Sequence, residues 1–412
     1  MTLFQLTAAI VTLTALGSYL NHRYLRLPPT IGLMAFSLTL SLLTLLLGQL
    51  GLADLRAAGD FVSRVDFSEV LLHGMLSFLL FAGAMHINLE SLRNVKWAVC
   101  ILATVGVVIA TFVTGALVWF SARQLGLGLA FAEALLFGAL ISPTDPIAVL
   151  SILKEAGLPK NLYTRIGGES LFNDGVGVVV FLTILGIVTG DTKPTFSSVA
   201  ALLGLEAIGG AVAGVLGGWI VYRLLRSIDD PKTEIMLTLA LVTGGYSLAE
   251  ALHLSAPIFM VTAGLVVGNH GRDFGMSEQT RNRMDVFWEL IDEILNAILF
   301  MLIGLEIVII PLTRQHLLLG LLAILATLIG RLVSVGLPVS LMGWRRNFGK
   351  GTIGLMTWGG LRGGLSIAMA LSLPPGQVRE TILPAAYIVV LFSILVQGLT
   401  FKPALRFLLK LP

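Results

Sequence analysis

Gly168-Glu169-Ser170-Leu171-Phe172-Asn173-Asp174-Gly175 places two carboxylates, an amide and a hydroxyl within one segment whose flanks are apolar enough for lipid. An ionisable side chain at the bilayer centre costs roughly 2.5–3.5 kcal/mol on insertion scales. Two so close together are not explained by stability alone. In a membrane setting they read first as a binding site for a cation or a proton.

The membrane setting follows from composition. Hydrophobic residues make up 56% of the 412 residues and charged residues only 12%, and the mean hydropathy is +0.91. A soluble globular domain carries about 25% charged residues, so this chain has about half the charge needed to cover a wet surface. The single cysteine, Cys100, excludes a disulfide framework within the chain and a cysteine-based metal site. It reads as inert packing. Residues 1–21 have no basic leading region and no clear small-residue cleavage site, so they read as a first membrane helix.

Crossing the hydrocarbon core takes about 20 apolar residues. Thirteen such spans can be drawn, at about 3–20, 28–50, 68–87, 96–120, 128–151, 164–189, 196–224, 233–250, 256–269, 285–309, 316–342, 351–373 and 380–405. With the N-terminus outside, nineteen basic residues fall in inside loops and the C-terminal tail, among them Arg23, Arg26, Lys154, Arg272, Arg345 and Lys410. Six fall outside: Arg56, Arg64, Arg123, Lys193, Arg314 and Arg379. Arg331 and Arg362 lie within spans and complete the 27. That bias is the one the positive-inside rule requires, and one miscounted span would invert every later loop. The expectation is thirteen helices, N-terminus outside and C-terminus inside. The net charge of +3 then needs no nucleic-acid partner. No low-complexity tract or long linker appears, so residues 1–412 read as one membrane domain.

Two spans are interrupted. The fifth holds Ser142-Pro143-Thr144-Asp145-Pro146, where two prolines each remove a backbone donor and clash with the preceding turn. A proline kink with a helix-capping aspartate and a truly discontinuous helix both fit that string. The twelfth holds Trp358-Gly359-Gly360-Leu361-Arg362-Gly363-Gly364, four glycines around an arginine whose charge can balance the exposed carbonyls of a broken helix. The two spans run in opposite directions. Interrupted helices in matching positions of two inverted halves, here spans 4–6 and 11–13, are the sequence mark of a secondary transporter's binding site. Unwound backbone at membrane depth survives only where protein or a water-filled cavity satisfies it.

Residues four apart share a helix face. Ser170 aligns with Asp174 and presents a hydroxyl and a carboxylate, which suit a hard cation such as Na⁺ or Li⁺. Glu169 aligns with Asn173. Arg331, isolated in the eleventh span, is the expected partner of Glu169, since an unpaired buried charge is far more costly. Asp174 is then the exchanging carboxylate, and Asn173 holds unwound backbone or a neighbouring side chain. A proton and a metal ion compete for the same oxygens. If only the neutralised site crosses the bilayer, competition produces exchange without an enzyme's reaction.

At these residues the sequence resembles the sodium/proton antiporters of the NhaP and NHE type, the first family of monovalent cation:proton antiporters. The matching pieces are Thr144-Asp145-Pro146, Gly168 to Asp174, Arg331 and Gly359-Gly360-Leu361-Arg362-Gly363, and the likeness spans essentially the whole chain. The resemblance implies an all-α polytopic fold of thirteen transmembrane helices, with inverted repeats and two discontinuous crossed helices, as in NhaA-like antiporters. It implies a core of about 96–189 and 316–405 moving against a dimerisation scaffold of about 1–95 and 196–309. It implies a homodimer embedded in lipid in a bacterial inner (plasma) membrane. Asp174, Ser170, Asp145 and the Thr144 backbone would bind Na⁺ (or Li⁺) and the proton. Glu169 and Arg331 would pair, and Arg362 would steady the crossed helices. The Asn173-Asp174 pair resembles the electroneutral branch. No cofactor is implied, and a K⁺/H⁺ antiporter shares every motif. One departure stands out: many members carry a glutamate in the third span facing the ion, where this chain has Ala82. Either water or another residue takes that place.

Other polar residues read more blandly. Asp285, Glu289, Asp292 and Glu293 form a solvated helix end or an acidic vestibule that concentrates cations. His86, His253, His270 and His316 read as interfacial, His73 as deeper, Glu206 as a buried or functional acid, and Glu306 as interfacial. An intramembrane aspartyl protease would also need two aspartates on adjacent helices, but its characteristic sequence settings are absent. A cation channel would need no counter-transported proton.

Overall fold

The computed structural model describes residues 2–52, 59–62, 66–155, 160–190, 196–310, 312–343 and 351–409. Arg56, Arg64, Lys193, Arg345, Arg346, Lys350 and Lys410, which enter the loop-charge count, lie outside the described residues. Among those described there is no strand. Lipid offers a backbone no hydrogen bonds, so a chain this apolar must satisfy its amides locally, and helices do so.

The main helices are α1 (Leu3–Leu20), α2 (Pro29–Gln49), α3 (Leu76–Met85), α4 (Leu89–Ile101), α5 (Val107–Gln124), α6 (Phe131–Ile141), α7 (Ile147–Glu155), α8 (Lys160–Thr189) and α9 (Phe196–Leu225). They continue with α10 (Pro231–Ala251), α11 (Ala256–Val266), α12 (Glu278–Glu306), α13 (Arg314–Gly343), α14 (Thr352–Trp358), α15 (Gly364–Leu371), α16 (Gln377–Phe392) and α17 (Gly398–Leu409). π-helical turns such as Leu102–Gly106 and Ser393–Gln397 carry some helices into the next without a break. Seven stretches among the described residues are long and apolar enough to cross a membrane, including Pro29–Gln49, Leu89–Gln124, Leu162–Thr189 and Arg314–Met342.

Polar residues at helix starts satisfy the orphan amides that lipid cannot. Asn88 Oδ1 accepts from Ser91 N (2.8 Å) ahead of α4. Asp230 caps α10 through Thr233 N (3.0 Å), with Pro231 in the first turn. The Thr233 hydroxyl and amide hold the Asp230 carboxyl below the usual carboxylate range.

Packing positions the site. Helix α5 lies between α6 and α13, α13 also packs on α16, and α8 contacts α4, α6 and α11. A large apolar cluster joins α2, α6, α12 and α16 through residues such as Met34, Phe137, Met301 and Tyr387. A second gathers Phe81, Leu171, Phe259 and Trp288. Small residues allow close approach of helices that lack a hydrophobic drive to associate in lipid.

The sequence expectations need several corrections. Cys100 is exposed on α4 rather than packed. Glu306 is buried, at 3% exposure, rather than interfacial, because α12 ends inside the protein. His73 is half-exposed rather than deep: Nδ1 lies 3.0 Å from Glu69 and Nε2 3.4 Å from Glu250. The short ninth span is lengthened by a π turn, Val267–Gly271, and a further helical turn, Arg272–Phe274.

Candidate cation and proton site

Both interrupted spans are broken. Between α6 and α7 the chain leaves the helix over 142–146, and between α14 and α15 over 359–363. The two breaks touch. Asp145 N donates to the Leu361 carbonyl (2.8 Å), so backbone groups freed in one break are taken up by the other. The Arg362 guanidinium supplies more: Nη1 donates to the carbonyls of Ser142 (2.6 Å) and Pro143 (2.8 Å). These end-of-helix carbonyls carry partial negative charge, which a buried cation offsets. Asp145 Oδ1 accepts from Ile147 N (3.0 Å) and so also caps the second half-helix. The kink-and-cap reading and the discontinuous-helix reading of the proline string therefore describe one arrangement.

Glycine has a specific purpose here. A Cβ at Gly363 would collide with the Asp145 side chain, and one at Gly360 with the Arg331 guanidinium. The glycines admit a carboxylate and a guanidinium against bare backbone.

Helix α8 presents its polar residues to this junction. Asn173 Oδ1 accepts from Thr144 N (3.2 Å) and Nδ2 donates to Thr144 Oγ1 (2.9 Å). The hydroxyls of Thr144 and Ser170 lie 2.8 Å apart. Glu169 is fully buried, and both its oxygens meet Arg331, Nη2 at 2.9 Å from Oε2. Arg331 Nε completes its set on the Met356 carbonyl (3.2 Å), in the half-helix before the second break. A bidentate pair whose third guanidinium nitrogen also finds an acceptor is the geometry in which a buried ion pair is tolerable.

Asp174 differs from all of these. It is half-buried, its charge interacts with those of Asp145, Arg362 and Glu169, and no described residue hydrogen-bonds its carboxylate. Asp145 is half-buried too. Asp292 of α12 interacts electrostatically with Asp145, and Glu289 and Glu293 beside it are exposed. Asp285, by contrast, is committed to Arg272, 2.8 Å away. Of the acidic group, Asp285 is thus paired, and Asp292 is the member whose charge is felt at the break. Ala82 is fully buried in the same apolar cluster as Leu171, next to Ser170.

Sequence reasoning missed the second support of the twelfth span. Ser393 Oγ accepts from Arg362 N (2.8 Å) and Gln397 Nε2 donates to the Trp358 carbonyl (3.0 Å). Both lie in the π turn Ser393–Gln397, a feature frequent at functional sites. The available signal was a polar pair four residues apart in an otherwise apolar span.

Two broken helices, joined backbone to backbone beside a carboxylate that no described residue hydrogen-bonds, inside an apolar helical protein, are the architecture of a membrane transporter's ion site. A family model described as "Sodium/hydrogen exchanger, transmembrane" matches residues 9–407. The chain belongs to that family and is a multi-pass membrane protein. It is 52% identical to the Na(+)/H(+) antiporter NhaP of Pseudomonas aeruginosa, over 98% of this chain and 96% of that one. It is 36% identical to the Na(+)/H(+) antiporter NhaH of Halobacillus dabanensis, over 90% and 91%. Among solved structures it resembles the sodium proton antiporter MjNhaP1 from Methanocaldococcus jannaschii, at 20% identity and a TM-score of 0.77, over 99% of this chain and 100% of that one.

Proposed function

We propose that this protein exchanges Na⁺ (or Li⁺) for H⁺ by alternating access, the two ligands competing for the Asp174 carboxylate. The observation that carries the reading is that carboxylate itself, half-buried and unclaimed by any described hydrogen-bond donor, beside helix breaks whose backbone groups bond to each other and to Arg362. Three carboxylates, Asp145, Glu169 and Asp174, meet two guanidiniums, Arg331 and Arg362. When all are ionised, one negative charge is in excess. One proton or one monovalent cation neutralises it, and a neutral cluster crosses a low-dielectric barrier far more cheaply than a charged one. That balance favours electroneutral one-for-one exchange.

The Ser170 hydroxyl, Asp145 and the Thr144 backbone complete an oxygen set for a hard cation. Asn173, Glu169, Arg331 and Arg362 hold the geometry without binding the ion. The transported ions are substrates, and the exchange needs no cofactor. Asp292, Glu289 and Glu293 form the approach from the inside face, raising the local cation concentration.

The architecture proposed with this mechanism has thirteen spans in inverted repeats, the two broken helices crossing at the site. The core comprises about 96–189 and 316–405, and the scaffold about 1–95 and 196–309. The scaffold pairs with a second copy to form a homodimer in a bacterial plasma membrane, N-terminus outside and C-terminus in the cytoplasm. The relatives' descriptions as Na(+)/H(+) antiporters support sodium over potassium.

Proton-gradient dissipation in everted vesicles or proteoliposomes tests this. Na⁺ or Li⁺ should move protons with wild type and not with Asp174→Asn, and K⁺ should be ineffective. Exchange that survives in Asp174→Asn would remove Asp174 from the site. Dissipation by K⁺ alone would make the protein a K⁺/H⁺ antiporter.

A further inference from the structure

We infer that Glu306 is a second cation- and proton-holding carboxyl, stationed at the far end of α12 from Asp292. The inference rests on the antiport reading, and extends the ion path beyond Asp174. Fourteen residues separate Asp292 from Glu306, roughly 20 Å along a helix at 1.5 Å per residue. The basic-residue distribution assigns that end of α12 to the outside.

Four observations set Glu306 apart from a structural acid. Its side chain is 3% exposed. Its Oε2 is buried with no hydrogen-bond partner among the described residues. It is the last residue of a 29-residue helix, where the helix dipole opposes a negative charge rather than supporting it. No described basic group forms an ion pair with it. Arg379 of α16 and Asp66 act on it through space, but the Arg379 guanidinium donates to the Leu373 carbonyl instead (3.5 Å). Tyr387, the other titratable neighbour, donates its hydroxyl to the Ile303 carbonyl one turn earlier on α12 (2.8 Å). Buried polar groups are normally satisfied, and a carboxylate left this bare calls for a proton or a cation.

Its location gives that ligand a route. Tyr387 ties α16, in the proposed core, to α12, in the proposed scaffold. Leu299 of α12 also abuts Gly364 at the start of α15. Glu306 therefore sits on the seam along which core and scaffold would slide, and takes up or releases its ligand as the seam opens. Alternate loading of Asp174 and Glu306 would pass an ion between two carboxylates rather than expelling it directly to water.

Two measurements test this. In proteoliposomes of known orientation, Glu306→Gln should raise the KM for Na⁺ at least fivefold on the face nearest Glu306 and flatten the pH dependence there. KM on the opposite face should stay within twofold of wild type. Equal change on both faces, or none, would overturn the proposal. The second measurement needs no Glu306 variant. The hydrophobic reagent dicyclohexylcarbodiimide is applied to the full chain carrying Asp174→Asn, and labelling is mapped by mass spectrometry. Labelling at Glu306 that Na⁺ slows is expected, whereas absent labelling or indifference to Na⁺ would defeat the inference. Because this readout does not depend on exchange, it fails independently of the Asp174 mechanism.

Discussion

Glu169 and Arg331 lie 162 positions apart in sequence, yet both Glu169 oxygens meet the same guanidinium. Each residue alone in lipid would be costly, and the pair is tolerable because the desolvated charges satisfy each other and the Met356 carbonyl accepts from Nε. Breaking one side should therefore hurt more than removing both. Glu169→Gln is expected to destabilise the protein by about 3–5 kcal/mol, the range for an uncompensated buried charge, while replacing both with methionine should cost much less. Thermal unfolding in detergent of both single variants and the double variant decides this. A loss in the double variant equal to the sum of the two single losses would mean that the pair is not coupled. Asp174 stands at the other extreme, since no described donor occupies its oxygens, and its substitution should alter transport far more than folding.

The broken helices are stable as elements only because each break is filled from outside itself. Arg362 serves the carbonyls of Ser142 and Pro143, and Ser393 serves the amide of Arg362. Arg362→Met keeps the volume of the side chain and removes every donor. It should leave two buried carbonyls unsatisfied, at about 1–3 kcal/mol each, and lower the exchange rate more than tenfold by loosening the junction at Asp145. Exchange at wild-type rates with reduced thermal stability would make Arg362 a support for folding alone. The proline string announced its break in the sequence. The second break was also visible, as glycines around an arginine, but the reason for those glycines was not. The Gly363 position admits Asp145, a residue 218 positions earlier in the chain.

For the whole molecule, competition at one carboxylate has a consequence that any mechanism with separate sites lacks. As pH falls, protons occupy Asp174 and the apparent KM for Na⁺ should rise, approaching about tenfold per pH unit once the proton dominates. The maximal rate at saturating Na⁺ should vary much less. Measuring Na⁺ dependence at a series of equal internal and external pH values tests this, and a KM independent of pH would exclude competition.

Composition, the alternation of apolar segments with short polar loops, and two interrupted spans determined by themselves that this is a helical membrane protein with a charged centre. Their physical signal is local: apolar length, broken periodicity and polar residues four apart on one face. The same local signal named Glu169, Asn173, Asp174, Thr144 and Asp145, because polar side chains are conspicuous against a lipid-like background. Only the tertiary structure joined the two breaks backbone to backbone, gave Ser393 and Gln397 their partners, exposed Cys100 and buried Glu306. Which carbonyl a distant donor reaches, and which face of a helix meets protein rather than lipid, depend on packing between segments hundreds of residues apart. No local pattern encodes that, since an apolar helix face looks the same whether lipid or another helix covers it.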